Sequence, residues 1–305
     1  MILVGSTGFV GSNLIEYGAF DKKYHSTDVN EAYGSKPDVL VYAGVTGTKF
    51  WANMFPEKDA DIICQAKTNI EKICPKKIIL ISSIDVNSSL DSDEQKESDK
   101  SFFCSYGNNR LELEKWISSN YEDYHIIRLP AIYGKNIKKN YIHDLISPIP
   151  PILTLDKYND ILKVISEITD AYSLHADGLY HYNESYSGKK SLEEKFIKNP
   201  FNAISFTNPR SSFQYYNLAW LWNDINRIME QKIKKINLVT EPIFSNELFE
   251  LVYHCEYWYE SSAPLVNYNL KTAFAEALGG HNGYIYKKEY VLKDLINYIK
   301  KYKMR

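Results

Sequence analysis

Cysteine is scarce in this sequence. Cys64, Cys74, Cys104 and Cys255 are the only four in 305 residues, and no two form a Cys-x-x-Cys pair. That excludes a disulfide-stapled scaffold and the short-spaced redox or zinc motifs, and it predicts reduced, mostly buried thiols. The histidines (His25, His125, His143, His175, His181, His254 and His281) are scattered, with no ligand pair at helical spacing, so no metal site is indicated. Long apolar runs are missing too, and nothing approaches the roughly 20 residues of a membrane span. Basic excess is absent: Lys+Arg 36 stands against Asp+Glu 38, for a net charge of −2. That gives no case for non-specific nucleic-acid binding, and the Lys-rich end, Lys300 to Arg305, reads as a solvated helix terminus. Met1 opens directly onto an apolar strand with no signal peptide before it, so the expectation is a soluble, cytoplasmic protein.

What is present is alternation. Short apolar runs at Ile2–Val4, Tyr24–Thr27, Val39–Ala43, Lys77–Ile81 and Tyr124–Leu129 read as strands. Helical patterns separate them at Ser12–Tyr17, Asp59–Cys74 (apolar at Ile62, Ile63, Ala66, Ile70 and Ile73, stopped by Pro75) and Ser105–Ser118. Strand–helix alternation predicts an α/β, Rossmann-type doubly wound parallel sheet with ligands at the carboxyl ends of its strands. The gap between Asp28 and Val39 is too short for a full βαβ unit, so one strand–helix pair is expected to shrink to a loop. Asn87 to Lys100 is polar and reads as a surface loop. Ser147-Pro-Ile-Pro-Pro151 marks a break. The division expected is residues 1–134 as a dinucleotide-binding domain and 135–305 as a mainly substrate-binding region. Within the latter, about 211–240 returns to the sheet domain, with a helix entry and helix at Tyr215–Met229 and a strand at Lys235–Val239. There is no internal repeat. The 25 tyrosines suit a wall that contacts carbohydrate or bases, and an A/T-rich coding sequence accounts for them equally well.

The first dozen residues carry the strongest local signal. Gly5, Gly8 and Gly11 are spaced three apart between a strand and a helix. Gly5 lets the chain turn sharply, Gly8 lets backbone N–H groups approach a pyrophosphate, and Gly11 lets the helix pack on the strand. The helix start then faces the anion. Asp28, some 20 residues on, can accept both hydroxyls of an adenosine ribose and would repel a 2′-phosphate, which favours NAD over NADP. Ser82 and Ser83 follow an apolar strand. Tyr106 and Arg110, four apart, share a helix face. A strand-end hydroxyl and a tyrosine next to a cation form a proton-transfer device: the cation favours tyrosinate, and the tyrosine moves a proton as hydride moves.

These segments occur in the order of the extended short-chain dehydrogenase/reductases. They are Gly5–Gly11, Asp28, Ser82-Ser83, Tyr106-Gly-Asn-Asn-Arg110 with Leu111-Glu-Leu-Glu-Lys115, and Arg128-Leu-Pro-Ala-Ile-Tyr-Gly134. Pro209-Arg-Ser-Ser-Phe-Gln-Tyr-Tyr-Asn-Leu-Ala219, Ile236-Asn-Leu-Val-Thr240 and Tyr268-Asn-Leu-Lys271 resemble later motifs of the same family. The resemblance covers most of the chain and is weakest over residues 135–205. It implies an NAD-dependent epimerase or reductase acting on a nucleotide-activated sugar, with surface-polysaccharide synthesis as the setting, and a homodimer built on the helices 59–74 and 105–118. It implies Ser83 and Tyr106 as catalytic groups, with Arg110 beside them. The cofactor contacts it implies are Gly5, Thr7, Gly8, Phe9, Val10, Gly11, Asp28, Ala43, Gly44, Ser82, Tyr106, Arg110, Pro130 and Ala131. Ser83, Asp85 and Arg210 would contact substrate, with Arg210 on a diphosphate. The departures are specific. Arg110 stands where the family has Lys, and Asn217 stands for Asp. The family's helix Asn has no clear counterpart near Ala60 or Asp61. Ile84-Asp85 replaces the Asp-Glu of 4,6-dehydratases, so a dehydratase is not expected. The alternative from another class is a catalytically impaired NAD-binding regulatory or assembly protein.

Overall fold

The computed structural model describes residues 1–96, 100 and 105–303. The chain divides into two compact units. The first comprises Met1–Ile137, Phe213–Pro242 and Tyr268–Val291; the second comprises Lys138–Ser212, Ile243–Asn267 and the chain from Leu292.

The first unit begins with β1 (Ile2–Val4), α1 (Phe9–Tyr17), β2 (Lys22–Tyr24), β3 (Val39–Tyr42), α2 (Lys49–Met54) and α3 (Pro56–Ile73). It continues with β4 (Lys77–Ser83), α4 (Ser105–Asn120), β5 (Tyr124–Leu129) and β6 (Ala131–Tyr133). A late strand, Lys235–Asn237, completes a six-stranded parallel sheet in the order Lys235–Asn237, β5, β4, β3, β1, β2. The strands are continuous apolar runs because both faces are covered, and alternate residues serve opposite cores. Val4, Leu40, Ile78 and Ile126 face one side, with Ile63, Ala66, Ile70 and Ile73 of α3 and Leu113 and Ile117 of α4. Leu3, Val41, Ile79 and Ile127 face the other, with Leu14 of α1 and with Leu221, Ile225 and Ile228 of the helix Leu221–Glu230. The apolar stripes of α3 and α4 are thus buried within one chain. The strand order reverses between β1 and β3, and the crevice over their carboxyl ends is the place where such sheets bind ligands.

Several expectations need correction. β2 is Lys22–Tyr24 rather than Tyr24–Thr27, because the Tyr24 carbonyl accepts from Gly5 N and Ser6 N and the chain turns immediately afterwards. A 3-10 turn, Val29–Ala32, fills the short gap before β3 in place of a full strand–helix pair. The segment from Asn87 is not simply a surface loop, since Asn87 and Glu94 are buried. The Glu94 carboxylate accepts from Asn237 N (3.1 Å), Thr272 Oγ1 (3.0 Å) and Ala273 N (2.8 Å), and burial raises its pKa. Tyr215–Asn217 is a strand paired with β6, and the helix starts only at Leu221. Cys64, Cys74 and Cys255 are exposed rather than buried, and Cys104 lies outside the described residues. Cys64 is on the outer face of α3, and Cys74 takes a left-handed conformation that ends it (φ 55°).

In the second unit a three-stranded antiparallel sheet, ordered Ile152–Leu153, Tyr180–Tyr182, Tyr172–Leu174, packs with the helices Leu155–Leu162 and Lys189–Ile197. Tyrosines fill much of this core. Tyr158 and Tyr180 stack at 3.8 Å between ring centroids, and Tyr172 meets both Tyr158 and Tyr182. Among the described residues, no helix is long and apolar enough to cross a membrane.

Candidate active site

The glycine turn sits at the sheet's switch point. Val4 and Tyr42 are register partners, so Gly5 lies against Ala43 and Gly44. Gly5 has φ +94°, and a Cβ there would come 2.4 Å from the Ala43 carbonyl oxygen. A Cβ on Gly11 would come 2.0 Å from the Gly5 carbonyl oxygen, so only glycine lets α1 approach this closely. Gly8 differs. It is exposed, and the one atom near its would-be Cβ is the Gly5 oxygen at 3.3 Å. No side chain caps the start of α1 at Gly8, and Thr7 beside it is exposed. Phe9 and Val10 turn partly into the core beneath. An uncapped helix start behind a glycine cradle fits the pyrophosphate of a dinucleotide.

Asp28 lies four residues beyond the end of β2. Its carboxylate accepts from His25 N (2.6 Å) and lies 3.1 Å from His25 Nε2. Pro130 and Ala131 follow β5, with Ala131 N donating to the Gln214 carbonyl.

Ser82 and Ser83, adjacent at the end of β4, point to different partners. Ser82 Oγ donates to Glu114 Oε1 at 2.5 Å. Glu114 in turn holds Arg128 through Nε and Nη2 (Nη2 to Oε2, 2.6 Å), and Arg128 Nη1 donates to Asn87. Ser82 therefore belongs to a buried ion-pair network. Ser83 belongs to the site: its hydroxyl is close enough to Tyr106 to oppose the rise in that phenol's pKa, and its Oγ accepts from Asp85 N (3.2 Å). Ser83 and Tyr106 thus meet at the carboxyl end of the sheet. Burial raises the Tyr106 phenol above its usual pKa. Arg110 opposes that rise, Asp85 adds to it, the Ser83 hydroxyl opposes it, and Asp59 adds to it.

Arg110 is buried, and its partners are all protein groups. Nη1 donates to Asp59 Oδ2 and to the Tyr106 carbonyl (3.1 Å). Nη2 donates to Asp59 Oδ1 (2.9 Å) and to the Thr46 carbonyl. Its guanidinium carbon lies 3.9 Å from the Tyr106 ring centroid. Asp59 is fully buried in the first turn of α3 and also accepts from Asn109.

Three more groups join the site. Tyr268 Oη donates to Asp85 Oδ1 (2.8 Å), Lys49 Nζ lies 3.0 Å from Asp85 Oδ2, and Lys49 Nζ donates to Tyr268 Oη (3.3 Å). Burial and the adjacent Asp85 push the Tyr268 phenol far above its usual value, so it is a permanent donor to that carboxylate. Asp59, Lys49 and Tyr268 carry no roles in the sequence reading. Asp59 had one available signal, an acid on the helix that lacks the family Asn. Tyr268 sits in a quoted motif, and Lys49 has no local signature. Arg210 belongs to the second unit. It is exposed and lines an open cleft of about 470 Å³ with Asn246, Glu250, Glu256 and Trp258. Among the described residues, no cluster of His, Cys, Asp and Glu could hold a metal ion.

No protein-family model matches the chain, and no curated protein matches it. Solved structures do. A UDP-glucose 4-epimerase from Thermotoga maritima, with UDP-glucose, superposes with a TM-score of 0.59 at 13% identity over 98% of both chains. A dTDP-4-dehydrorhamnose reductase from Bacillus anthracis, in complex with NADP, gives 0.62 at 11% identity over 97% of both. RMD from Pseudomonas aeruginosa, complexed with NADPH, gives 0.63 at 12% identity over 100% of this chain and 99% of that one. At these identities the likeness establishes the fold alone, the Rossmann-type α/β fold that the chain shares with these structures over its whole length.

Proposed function

We propose that this chain is an NAD(H)-dependent oxidoreductase or epimerase acting on a nucleotide-activated sugar, by keto-sugar reduction or epimerisation, in surface-polysaccharide synthesis. The observation that carries the reading is the Ser83–Tyr106 hydroxyl pair at the carboxyl end of a parallel sheet whose switch point holds the glycine turn. When bound, the dinucleotide supplies hydride exchange with a sugar carbon. Tyr106 Oη handles the proton: it donates to the sugar oxygen when a carbonyl is reduced and accepts from the hydroxyl when one is oxidised. Ser83 Oγ donates to the same oxygen and fixes it against Tyr106. Asp28 supports NAD, because its carboxylate disfavours a 2′-phosphate, whereas NADP and NADPH accompany two of the structural neighbours. Arg210 presents an exposed, always-charged fork of the kind a diphosphate takes.

The second reading is a non-catalytic NAD-binding regulatory or assembly protein. One observation favours it: the Arg110 charge is closed on Asp59 instead of facing open solvent. A screen of nucleotide sugars against purified protein, following reduced-nicotinamide absorbance and product mass, separates the two. Turnover of at least one sugar nucleotide is expected. Measurable NAD binding with no turnover across a broad panel overturns the enzyme reading in favour of the second.

A further inference from the structure

The cleft beside Arg210 lies wholly within the second unit and is lined by charges of both signs. Asn208 fixes the segment that carries Arg210: its Oδ1 accepts from Arg210 N (3.0 Å), and its Nδ2 donates to the Ala263 carbonyl (2.9 Å). The Pro209 carbonyl accepts from Asn246 N (2.9 Å), which seats Arg210 at the start of the helix Ser245–Tyr253. Glu250 comes four residues after Asn246, so the two line the cleft from one helix face, about 6 Å apart along the axis. Glu256 and Trp258 line it from the segment that follows the helix. The Trp258 ring centroid lies 3.9 Å from that of Tyr259, which is buried and donates through its hydroxyl to the Ile197 carbonyl. Trp258 is thus backed by an anchored ring, and it remains 50% exposed. Among the described residues, Arg210 forms no ion pair with Glu250 or Glu256, so these charges are open to a ligand.

We infer that this cleft takes a guanosine diphosphate group, with Arg210 on the diphosphate, Trp258 stacked on the base and a carboxylate of Glu250 or Glu256 on the guanine edge. The inference deepens the proposed function. It rests on the reading that Arg210 meets the diphosphate of a sugar nucleotide, and it names the nucleotide. Each group selects differently. A guanidinium fork pairs bidentately with phosphate oxygens. An indole stacks on any base, so Trp258 supplies affinity without choice. The choice falls to the carboxylates, which only accept hydrogen bonds. Guanine presents N1–H and its N2 amino group side by side, two donors that match the two oxygens of one carboxylate. Uracil and thymine flank a single N–H with two carbonyl oxygens. Adenine and cytosine set a bare ring nitrogen beside their amino group. Each of these turns a lone pair towards a carboxylate oxygen, a repulsion where guanine makes a hydrogen bond. A simple anion is disfavoured too, because two acids line the cleft against one arginine. The cleft volume, about 470 Å³, falls in the range of small-molecule sites, roughly 300–1,000 Å³.

The test titrates GDP, inosine diphosphate, UDP, dTDP, CDP and ADP calorimetrically into the full-length protein at saturating NAD, so that the glycine turn does not compete for them. GDP is expected to bind about tenfold or more tightly than UDP, dTDP, CDP and ADP, and inosine diphosphate, which lacks the N2 amino group, to lose about tenfold against GDP. Trp258→Ala is expected to weaken every nucleotide by about tenfold and to keep their order. Glu250→Gln combined with Glu256→Gln is expected to remove most of the preference for GDP over UDP and over inosine diphosphate. Both residues are exposed, so a thermal melt should show the fold unchanged. Absent GDP binding, UDP or dTDP binding as tightly as GDP, a GDP affinity that ignores Trp258→Ala, or a preference that survives the double variant overturns the inference. GDP selected in this way, with no sugar nucleotide turned over, refutes only the enzyme reading. Turnover of a uridine or thymidine diphosphate sugar without selection of GDP refutes only the inference.

Discussion

The guanidinium carbon of Arg110 lies over the ring of Tyr106, 3.9 Å from its centroid, while both of its amino groups hold Asp59. Arg110 therefore ties the Tyr106 ring to the buried first turn of α3. Breaking a buried ion pair from one side strands the other charge, which costs about 3–5 kcal/mol. Asp59→Ala is expected to destabilise the protein by that amount in urea unfolding. Arg110→Lys, which cannot make the bidentate fork, is expected to be destabilised as well. Combining Arg110→Met with Asp59→Leu should recover part of the loss, because both charges are then removed together and neither is left stranded.

The two serines at the end of β4 should separate cleanly. Ser83→Ala and Tyr106→Phe are expected to lower turnover by about 10²–10⁴-fold, the range for a lost proton-transfer group. Ser82→Ala removes a hydroxyl from the Glu114–Arg128 pair, so a stability loss of about 1–2 kcal/mol is expected. Its turnover should stay within a few-fold of the parent. Steady-state kinetics and thermal melts on the three variants measure the contrast.

Glycine positions in the turn differ in kind. Gly8→Val meets only the Gly5 carbonyl oxygen at 3.3 Å, so the fold should persist while dinucleotide binding is lost. Gly11→Ala would place a methyl 2.0 Å from the Gly5 oxygen, so α1 must move away; a loss of about 3 kcal/mol or more is expected. Calorimetric titration with NAD and a thermal melt distinguish the two outcomes. Gly8→Val binding NAD as the parent does would place the dinucleotide elsewhere.

His125 on β5 is buried, and its Nδ1–H donates to the Ile233 carbonyl at 2.6 Å. Among the described residues, its Nε2 has no hydrogen-bond partner. Burial holds its pKa below the usual 6.5. The unfolded chain therefore takes up a proton first as pH falls. The stability from neutral His125 is present above about pH 6.5 and declines below it, until the folded state also protonates. Melting temperature should fall from pH 7.5 to pH 5.5, and His125→Phe should flatten that part of the curve.

Much of the sheet was legible because its strands are buried on both faces and read as apolar runs. Ile2–Val4 and Tyr124–Leu129 are found with the boundaries the pattern predicts. β2 was misplaced because Lys22-Lys23-Tyr24 is an edge strand with two exposed lysines, and nothing in it alternates as a buried strand does. Ser83, Tyr106 and Arg110 could be nominated from the sequence because each lies at a fixed offset from a strand end or within one helical turn, and the structure brings Arg110 against the Tyr106 ring. Asp59 and Lys49 were not. Asp59 meets Arg110 across 51 residues and Tyr268 meets Asp85 across 183, and no local period records a contact made only by tertiary folding. The buried partner of Arg110 left no local mark in the sequence for the same reason.

The latch at Glu94 has a consequence for how the protein is made. Its donors lie 143 to 179 residues downstream, and the Tyr268 that fixes Asp85 lies 183 downstream. The ribosome thus releases the glycine turn, the first five strands and Tyr106 well before the groups that complete their surroundings, and domains generally fold as they emerge. A nascent chain ending short of residue 268 holds the dinucleotide cradle without the ring around Asp85. The chain thus acquires the proposed dinucleotide cradle before the donor that fixes Asp85, and a fragment ending before residue 268 separates the two parts of the candidate site.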